Sequence, residues 1–468
     1  MNLTDRNGNG RQNEYRRLLQ RTPALLRISD RAWRQAQEMG AWAPQAQIDV
    51  SMYVLGPVLY SFLTWVLRRA QETGKKRLYF LARDGWMMYR MAQGLCEAKG
   101  LFPECRYLYA SRYAWRVPQQ HLKRESSLEQ ICRSGMHVTF ADVMRRAGLT
   151  REETEKIASL IRPGKSIRKV LTRRELLSLR TQLAGCGPFL ELAERHSRSR
   201  YAGTLAYLSR EGLLDHVPYA LVDSGWTGSL QESLTCLLES AGYGGRVEGY
   251  YFGLYSLPDA ADAGRFHGWY FGPGSRAGRK ARFSNCLLES VFTAPHGMTE
   301  GYEEGNEGPV PRLARLHPKR KAWTKRQLGL LEIYMETLLK SLDEVPEQEA
   351  QLLRAEALLS RFMSAPSRKE SICYGNAFFS DEVTEERMRP LAARLTRRQL
   401  LELHLPVRLL LFLSGKRNPA ESGWTEGSVR LYGGRLYPWH RAGILFGRYA
   451  VYLKMQYDYQ RKRKAAGK

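Results

Sequence analysis

The 468-residue sequence lacks the features that mark secreted or zinc-finger proteins. Its seven cysteines are scattered and no two of them form a CxxC pair, which argues against a disulfide framework or a zinc ribbon and favours a reducing compartment. The first residues contain no apolar segment of the kind found in signal peptides. We therefore expect a cytoplasmic protein.

Acidic residues are in the minority, with 47 Asp and Glu against 73 Lys and Arg, so the formal net charge is +26. This excess favours contact with anions such as nucleic acid, acidic lipid or phosphorylated substrates. The basic residues are spread along the chain without an RNP-like signature, a C2H2 spacing or a clear helix-turn-helix. Specific nucleic-acid recognition is therefore not indicated, and a general attraction for anions is expected.

Long uncharged runs are also scarce, and the main one covers residues 50–67, VSMYVLGPVLYSFLTWVL. Eighteen residues lie at the lower limit for crossing a bilayer. Gly56, Pro57 and several hydroxyl-bearing residues interrupt the run, which favours a core helix packed on a sheet. The arginines that follow it, Arg68 and Arg69, would suit a membrane surface, so membrane association stays an alternative.

Short apolar runs followed by glycine turns and helical periodicity predict an α/β fold. Residues 78–82, 107–110, 219–222 and 246–256 are predicted strands, and helices follow Gly85 and Ser229. We expect a Rossmann-like, mainly parallel sheet with a helical cap inserted at about 119–210 and a helical C-terminal region. Residues 257–280 are predicted to form a loop or hairpin. The predicted units are a basic lead-in (1–45), the α/β core (46–310) and a basic C-terminal region (311–468).

Acidic residues follow two of the predicted strands, Asp84 within ARDG and Asp223 within VDSGWTGS. Ligand sites of open α/β sheets lie at the carboxyl ends of strands, so both side chains are candidates for catalysis or for holding a metal. Mg²⁺ is the expected ion because it prefers hard oxygen ligands and phosphates. Asp84 would be acid/base, nucleophile or metal ligand, and Asp223 would hold a metal or a sugar hydroxyl.

The residues around these aspartates suit a phosphate. Glycines allow close backbone approach, and hydroxyls at a helix start lie beside free N–H groups that bind oxyanions. Arginines just past the strand ends can bind phosphate through two hydrogen bonds. The same residues also fit an ordinary helix cap and solvated surface arginines. The candidates for phosphate or substrate binding are Arg83, Gly85, Arg112, Arg116, Gly225, Thr227, Gly228 and Ser229.

A later segment, LLESVFTAPHGMTEGYE, contributes two more candidates. Glu289 is a candidate substrate-binding residue. His296 lies on a Pro-His-Gly turn and is a candidate acid/base catalyst, since an imidazole titrates near ~6.5. A hydrogen-bonded structural histidine is the alternative interpretation.

Standard nucleotide fingerprints are absent. Neither GxxxxGK[ST] nor GxGxxG occurs. The Asp-x-Asp motif of haloacid dehalogenases is represented only by its first residue, because Trp86 stands where the second aspartate belongs. The order of elements resembles a phosphoribosyltransferase, although the acidic loop is shorter and has one acidic residue, Asp223, in place of two.

The motifs YFLARDGWMMYRMA, YLYASRYAWRVP, LVDSGWTGSLQESL, GYYFGLY and LESVFTAPHG together resemble a bacterial family. This family is found with polysaccharide-biosynthesis genes and is catalogued as predicted hydrolases of the haloacid-dehalogenase superfamily. The resemblance covers about residues 50–305. Longer relatives carry a separate dehalogenase-like domain, which we expect this chain to lack, so its aspartates are not transferred.

The resemblance implies a cytoplasmic role in making surface polysaccharide. We expect an enzyme that transfers or hydrolyses at a phosphorylated sugar or nucleotide sugar. A phosphoribosyltransferase-like enzyme is one alternative. The other is a non-enzymatic assembly factor whose basic surface contacts an anionic membrane or a glycosyltransferase partner.

Overall fold

The computed structural model describes residues 10–40, 42–135, 137–258, 261–380, 388–414 and 420–466. Its centre is a five-stranded sheet with strand order β2-β1-β3-β4-β5, in which all neighbouring strands are parallel. The strands are β1 (Arg77–Leu81), β2 (Glu104–Leu108), β3 (Tyr219–Trp226), β4 (Glu248–Leu254) and β5 (Phe266–Phe271). The predicted α/β, Rossmann-like fold is thereby confirmed.

Both faces of the sheet are covered. Alternate residues of a strand point to opposite faces, so Leu78 and Phe80 join one apolar cluster while Tyr79 and Leu81 join another. All five residues of β1 are buried, which explains why the strand reads as a continuous apolar run.

The prediction for residues 257–280 was wrong. Phe266–Phe271 forms β5, which pairs in parallel with β4 at the edge of the sheet. Its sequence FHGWYF is rich in aromatic strand formers, but the surrounding glycines and aspartates suggested a loop. The remaining strands form two small antiparallel pairs: β6 (Thr299–Gly305) with β7 (Gly308–Leu313), and β8 (Phe378–Phe379) with β9 (Arg389–Pro390).

The helices before and between the strands include the apolar run of the sequence analysis. A continuous helical stretch, Gln45–Glu72, is long and apolar enough to cross a membrane by composition, and 94% of its apolar window is buried inside the protein. It therefore forms a core helix of this fold, with a π-helical turn at Ser51–Leu55. The helices of this part are α1 (Gly10–Leu19), α2 (Pro23–Glu38), α3 (Gln45–Val50), α4 (Gly56–Glu72) and α5 (Gly85–Lys99).

The insertion between β2 and β3 is helical, as predicted. Thr150 and Glu153 form a capping box that starts one helix, and Thr172 and Glu175 start the next in the same way. The insertion has a small hydrophobic cluster of its own. Its helices are α6 (Arg112–Gln119), α7 (Arg124–Ile131), α8 (Phe140–Arg146), α9 (Arg151–Ile161), α10 (Arg173–Ala184) and α11 (Gly187–Arg210).

The remaining helices follow the later strands and form the C-terminal region. The largest apolar cluster runs from Tyr15 to Trp424, so helices near both ends of the chain pack with one face of the sheet. These helices are α12 (Ser229–Ser240), α13 (Ala277–Ala281), α14 (Asn285–Phe292), α15 (Pro318–Lys340), α16 (Glu347–Leu352), α17 (Ala355–Leu359), α18 (Arg368–Gly375), α19 (Arg397–Glu402), α20 (Leu405–Ser414), α21 (Thr425–Tyr432) and α22 (Tyr437–Ala466).

Candidate functional site

A cavity of about 410 Å³ opens at the carboxyl ends of β1 and β3. The chain leaves β1 towards β2 on one side and later enters β3 on the other, so the strand order reverses between β1 and β3. Open α/β sheets place their ligand sites at such a reversal. Asp84 follows β1, as predicted. The predicted end of the second strand at Val222 was wrong, because β3 stays paired with β4 as far as Trp226, so Asp223 lies within the strand. Both aspartates line this cavity.

The two aspartates are connected through one buried hydroxyl. Ser224 Oγ lies 2.5 Å from Asp84 Oδ2 and 3.5 Å from Asp223 Oδ1. Burial raises the pKa of Asp84, while the Ser224 hydrogen bond and Arg83, Arg320 and Arg112 oppose that rise. Burial and the charge of Asp84 raise the pKa of Asp223 to about 7. The pair therefore has one carboxyl that arginines help to ionise and one that holds its proton near neutral pH.

Glu289 on α14 is a third carboxyl in the cavity wall. Its Oε1 accepts a hydrogen bond of 2.5 Å from Trp226 Nε1. Burial, followed by the negative charge of Asp84, raises the pKa of Glu289. Since the charge of Asp84 raises the pKa of both other acids, the three carboxyls titrate as a coupled group.

Arginines balance these acids. Arg83, Arg112 and Arg116 line the cavity as predicted, and the insertion adds Arg133 and Arg146. The last two lie 25 and 38 residues beyond the end of β2, and no local pattern in the sequence marks them. Five cationic side chains around one cavity make it attractive to an anion.

Arg116 lies against the start of α12, where its Nη2 donates to Ser229 Oγ at 2.8 Å. Its Nε is buried and has no hydrogen-bond partner among the described residues. Burial and the neighbouring Arg112, Arg133 and Arg146 lower the pKa of Arg116 to about 9. A bound anion would relieve both the crowding of positive charge and the unpaired donor.

The loop before α12 depends on its glycines. Gly225 has φ 101°, and a Cβ there would lie 2.6 Å from the carbonyl oxygen of Gly253. Gly228 has φ 63° and packs against the ring of Phe266. The loop places the hydroxyls of Thr227 and Ser229 within 3.1 Å of each other at the start of the helix, where unpaired N–H groups favour anions.

Two predicted site residues lie outside the cavity lining. Gly85 begins α5, and a Cβ there would approach the Phe80 backbone to 3.0 Å, which points to packing as its role. His296 has its Nε2 at 2.8 Å from the hydroxyl of Tyr107 and packs beside Trp86. These contacts fit the structural alternative for His296.

The structure also supplies cavity residues that the motifs did not single out as site residues, namely Ser224, Asn285, Arg133 and Arg146. Ser224 was within reach of sequence reasoning, because it stands between Asp223 and Gly225 in VDSGWTGS. The contribution of Asn285 depends on the packing of α14 beside β3, which no local pattern reveals.

Asp84 and Asp223 supply the hard carboxylate oxygens that Mg²⁺ prefers, and Mg²⁺ commonly takes one or two carboxylates together with water and substrate phosphate. The described part of the chain contains no group of three or more His, Cys, Asp or Glu side chains arranged to hold a metal ion.

No protein-family model matches the chain, and no curated protein matches it either.

Proposed function

We propose that the protein is an enzyme that transfers or hydrolyses at a phosphorylated sugar or nucleotide sugar, in the synthesis of a bacterial surface polysaccharide. The observation that carries this proposal is the cavity at the β1/β3 reversal, in which three carboxyls with raised pKa face five arginines. Perturbed acids in a cleft are typical of catalytic sites, and the arginines select an anionic substrate.

The substrate phosphate would lie between the arginines and the start of α12. Arg116 would donate its unpaired Nε to a phosphate oxygen while keeping Ser229 in place. Arg112, Arg133 and Arg146 would neutralise the remaining charge. The hydroxyls of Thr227 and Ser229 and the free N–H groups of the first helical turn would complete the phosphate contacts.

The carboxyls would divide the proton chemistry. Asp84 is the acid that three arginines help to ionise, so it would act as base or nucleophile at the reacting centre. Asp223, with a pKa of about 7, would give its proton to the leaving oxygen. The incoming hydroxyl would then give its proton to Asp84 where Asp84 is the base, or to Asp223 where Asp84 is the nucleophile. Mg²⁺, when bound with the substrate, would supply further charge neutralisation at the phosphate.

The test is ligand binding and turnover with a matched set of aspartate variants. Thermal unfolding is followed with sugar phosphates, nucleotide sugars and phosphoribosyl pyrophosphate, with and without Mg²⁺, and product release is assayed for every ligand that raises the Tm. Asp84→Asn and Asp223→Asn should bind such a ligand but release product at least about a hundredfold more slowly. Asp343→Asn, which changes an exposed aspartate on another part of the surface, is the control and should behave as the parent protein.

Two outcomes would contradict the proposal. One is that no phosphorylated ligand raises the Tm of the parent protein in the presence or absence of Mg²⁺. The other is that product release is as fast in Asp84→Asn and Asp223→Asn as in the Asp343→Asn control. Turnover of phosphoribosyl pyrophosphate alone would identify the phosphoribosyltransferase-like alternative.

A further inference from the structure

The helix α20 is apolar in composition but lies exposed on the surface of the protein. Its sequence, LPVRLLLFLS, is almost entirely apolar, yet none of its ten residues is buried. Large side chains are well exposed along it, with relative exposures of 51% for Leu409, 67% for Leu410, 56% for Phe412 and 69% for Leu413. A short apolar helix that the described part of the chain leaves exposed needs another surface to remove it from water.

The long helix α22 continues this exposed apolar surface. One side of α22 faces the protein: Tyr452 stacks on Tyr255, and Arg448 donates to the carbonyl oxygen of Phe283. Other residues of α22, spaced at helical intervals of seven and four, carry exposed apolar side chains: Trp439, Phe446, Leu453 and Tyr457.

The two helices are joined. The first residues of α20 pack on α22, since Leu405 lies against Gly447 and His404 against Gly443. Phe446 stands between these two glycines in the chain, so it lies on the part of α22 that packs beside the start of α20. We group the exposed apolar side chains of the two helices as one set. We call this set the apolar face, defined by Leu409, Leu410, Phe412, Leu413, Trp439, Phe446, Leu453 and Tyr457.

Positive charge surrounds the apolar face. Residues 401–468 contain 13 Lys and Arg against four Asp and Glu. Arg173 of α10 lies over the ring of Phe412 at 5.0 Å, and Arg174 donates to the carbonyl oxygen of Leu413. At the other end, α22 finishes in the exposed basic run RKRK, residues 461–464.

We propose that the apolar face binds the surface of an anionic lipid bilayer, with α20 and α22 lying in the interface. An interfacial helix inserts its apolar side chains at the level of the headgroups while basic residues contact lipid phosphates. Each Lys or Arg near an anionic surface adds about 1 kcal/mol of attraction. The surrounding cations favour an anionic bilayer over a second copy of this chain, because two copies would bring like charges together.

This inference is independent of the proposed function, and it concerns a different part of the molecule. A protein that works on lipid-linked or membrane-exported saccharides would gain from being held at the membrane. The apolar face would serve equally well if the cavity bound another anion, so the two proposals succeed or fail separately.

The experiment measures flotation of the full-length protein with vesicles. Vesicles of three parts phosphatidylcholine to one part phosphatidylglycerol are compared with vesicles of phosphatidylcholine alone, at low and high salt. We expect binding to the anionic vesicles that weakens as salt rises. Leu410→Ser/Leu413→Ser should lower the partition coefficient about tenfold or more, because two leucines no longer leave water.

A second variant and a matched control complete the design. Arg461→Gln/Arg463→Gln should reduce binding and its salt dependence without touching an apolar residue. Leu160→Ser/Leu352→Ser changes two equally exposed leucines elsewhere, with exposures of 56% and 61%, and should bind like the parent protein. All variants should keep the Tm of the parent protein, since no buried side chain is altered.

Three results would overturn the proposal. Equal binding to neutral and anionic vesicles would remove the role of the cations, and equal binding by the Leu410/Leu413 variant and its control would remove the role of the apolar face. A parent protein that ignores vesicles but dimerises by sedimentation, with the dimer lost in Leu410→Ser/Leu413→Ser, would show that a second copy covers the surface.

Discussion

The cavity and the apolar face both depart from the usual distribution of side chains, in which charged groups are exposed and apolar groups are buried. In the cavity, Asp84, Asp223 and Glu289 lie below the surface, where charged groups are costly. On the apolar face, Leu410 and Leu413 point into water, where a soluble protein gains nothing from them. Neither arrangement stabilises the fold, and the two proposals assign to each region a binding partner outside the chain.

The two regions also differ in how their parts are assembled. The cavity draws on both strand ends, the insertion and α14, and its geometry depends on the complete α/β core. The apolar face belongs to two helices that follow one another closely in the chain. A substitution that destabilises the α/β core should therefore disrupt the cavity. The apolar surface of α20 and α22 depends mainly on the side chains of those two helices.

The largest expected effect comes from Gly225→Ala, which would disrupt the loop that forms one wall of the cavity and leave the apolar face unchanged. The new Cβ meets the Gly253 carbonyl in a backbone conformation with φ 101°, so we expect a loss of about 3 kcal/mol in the free energy of unfolding. Gly242→Ala is the control, because Gly242 also has a positive φ of 85° but nothing within 4 Å, and it should cost about 1 kcal/mol. Urea unfolding measures both, and equal losses in the two variants would contradict the assigned close approach.

A smaller effect concerns the pH dependence that the buried acid creates. The pKa of Asp223 is raised from 3.8 to about 7 in the folded state, so the folded protein binds the extra proton between these values. Stability from this group is complete at low pH and is lost as the pH rises towards 7 and above.

The wild-type free energy of unfolding should therefore fall by about 2 kcal/mol more than that of Asp223→Asn between about pH 5 and pH 8. Asp343→Asn should keep the wild-type slope. Parallel pH curves for the wild type and Asp223→Asn would show that this carboxyl is ionised throughout. Asp223 would then no longer count as a carboxyl with a raised pKa in the comparison of the cavity with the apolar face.

The smallest expected effect tests whether His296 belongs to the candidate site. His296→Gln should lower the free energy of unfolding by about 1 kcal/mol through loss of the hydrogen bond to Tyr107, with ligand affinity and turnover unchanged. Tyr107→Phe removes the same bond, so the double variant should cost less than the sum of the two single changes. Loss of turnover in His296→Gln at unchanged stability would support the other interpretation, in which His296 is an acid/base catalyst.

Much of the fold could be predicted from local signals. The strand at 78–82 was placed within one residue of β1, because a short apolar run between a glycine turn and Arg83 has few other conformations. Two helices of the insertion, α9 and α10, begin at Thr-x-x-Glu caps that the sequence displays. The strand β5 was missed because Gly268 and the flanking polar residues conceal a buried edge strand whose partner, β4, is needed to define it.

The candidate site divides in the same way. Asp84 and Asp223 could be predicted to lie close together because each follows a short apolar run that predicts a strand, and parallel strands bring their carboxyl ends to one edge. Arg133, Arg146 and Asn285 were not, because their place in the cavity depends on how the insertion and α14 pack over the sheet.

By itself, the sequence determined the alternation of strands and helices, the basic charge and the two aspartates that follow short apolar runs, since these depend on local periodicity and residue chemistry. Only the tertiary structure decided that the strand order reverses between β1 and β3, that Ser224 connects two aspartates, and that α20 is left uncovered. The physical reason is that burial and electrostatic shifts depend on contacts between residues far apart in the chain, which no local pattern specifies.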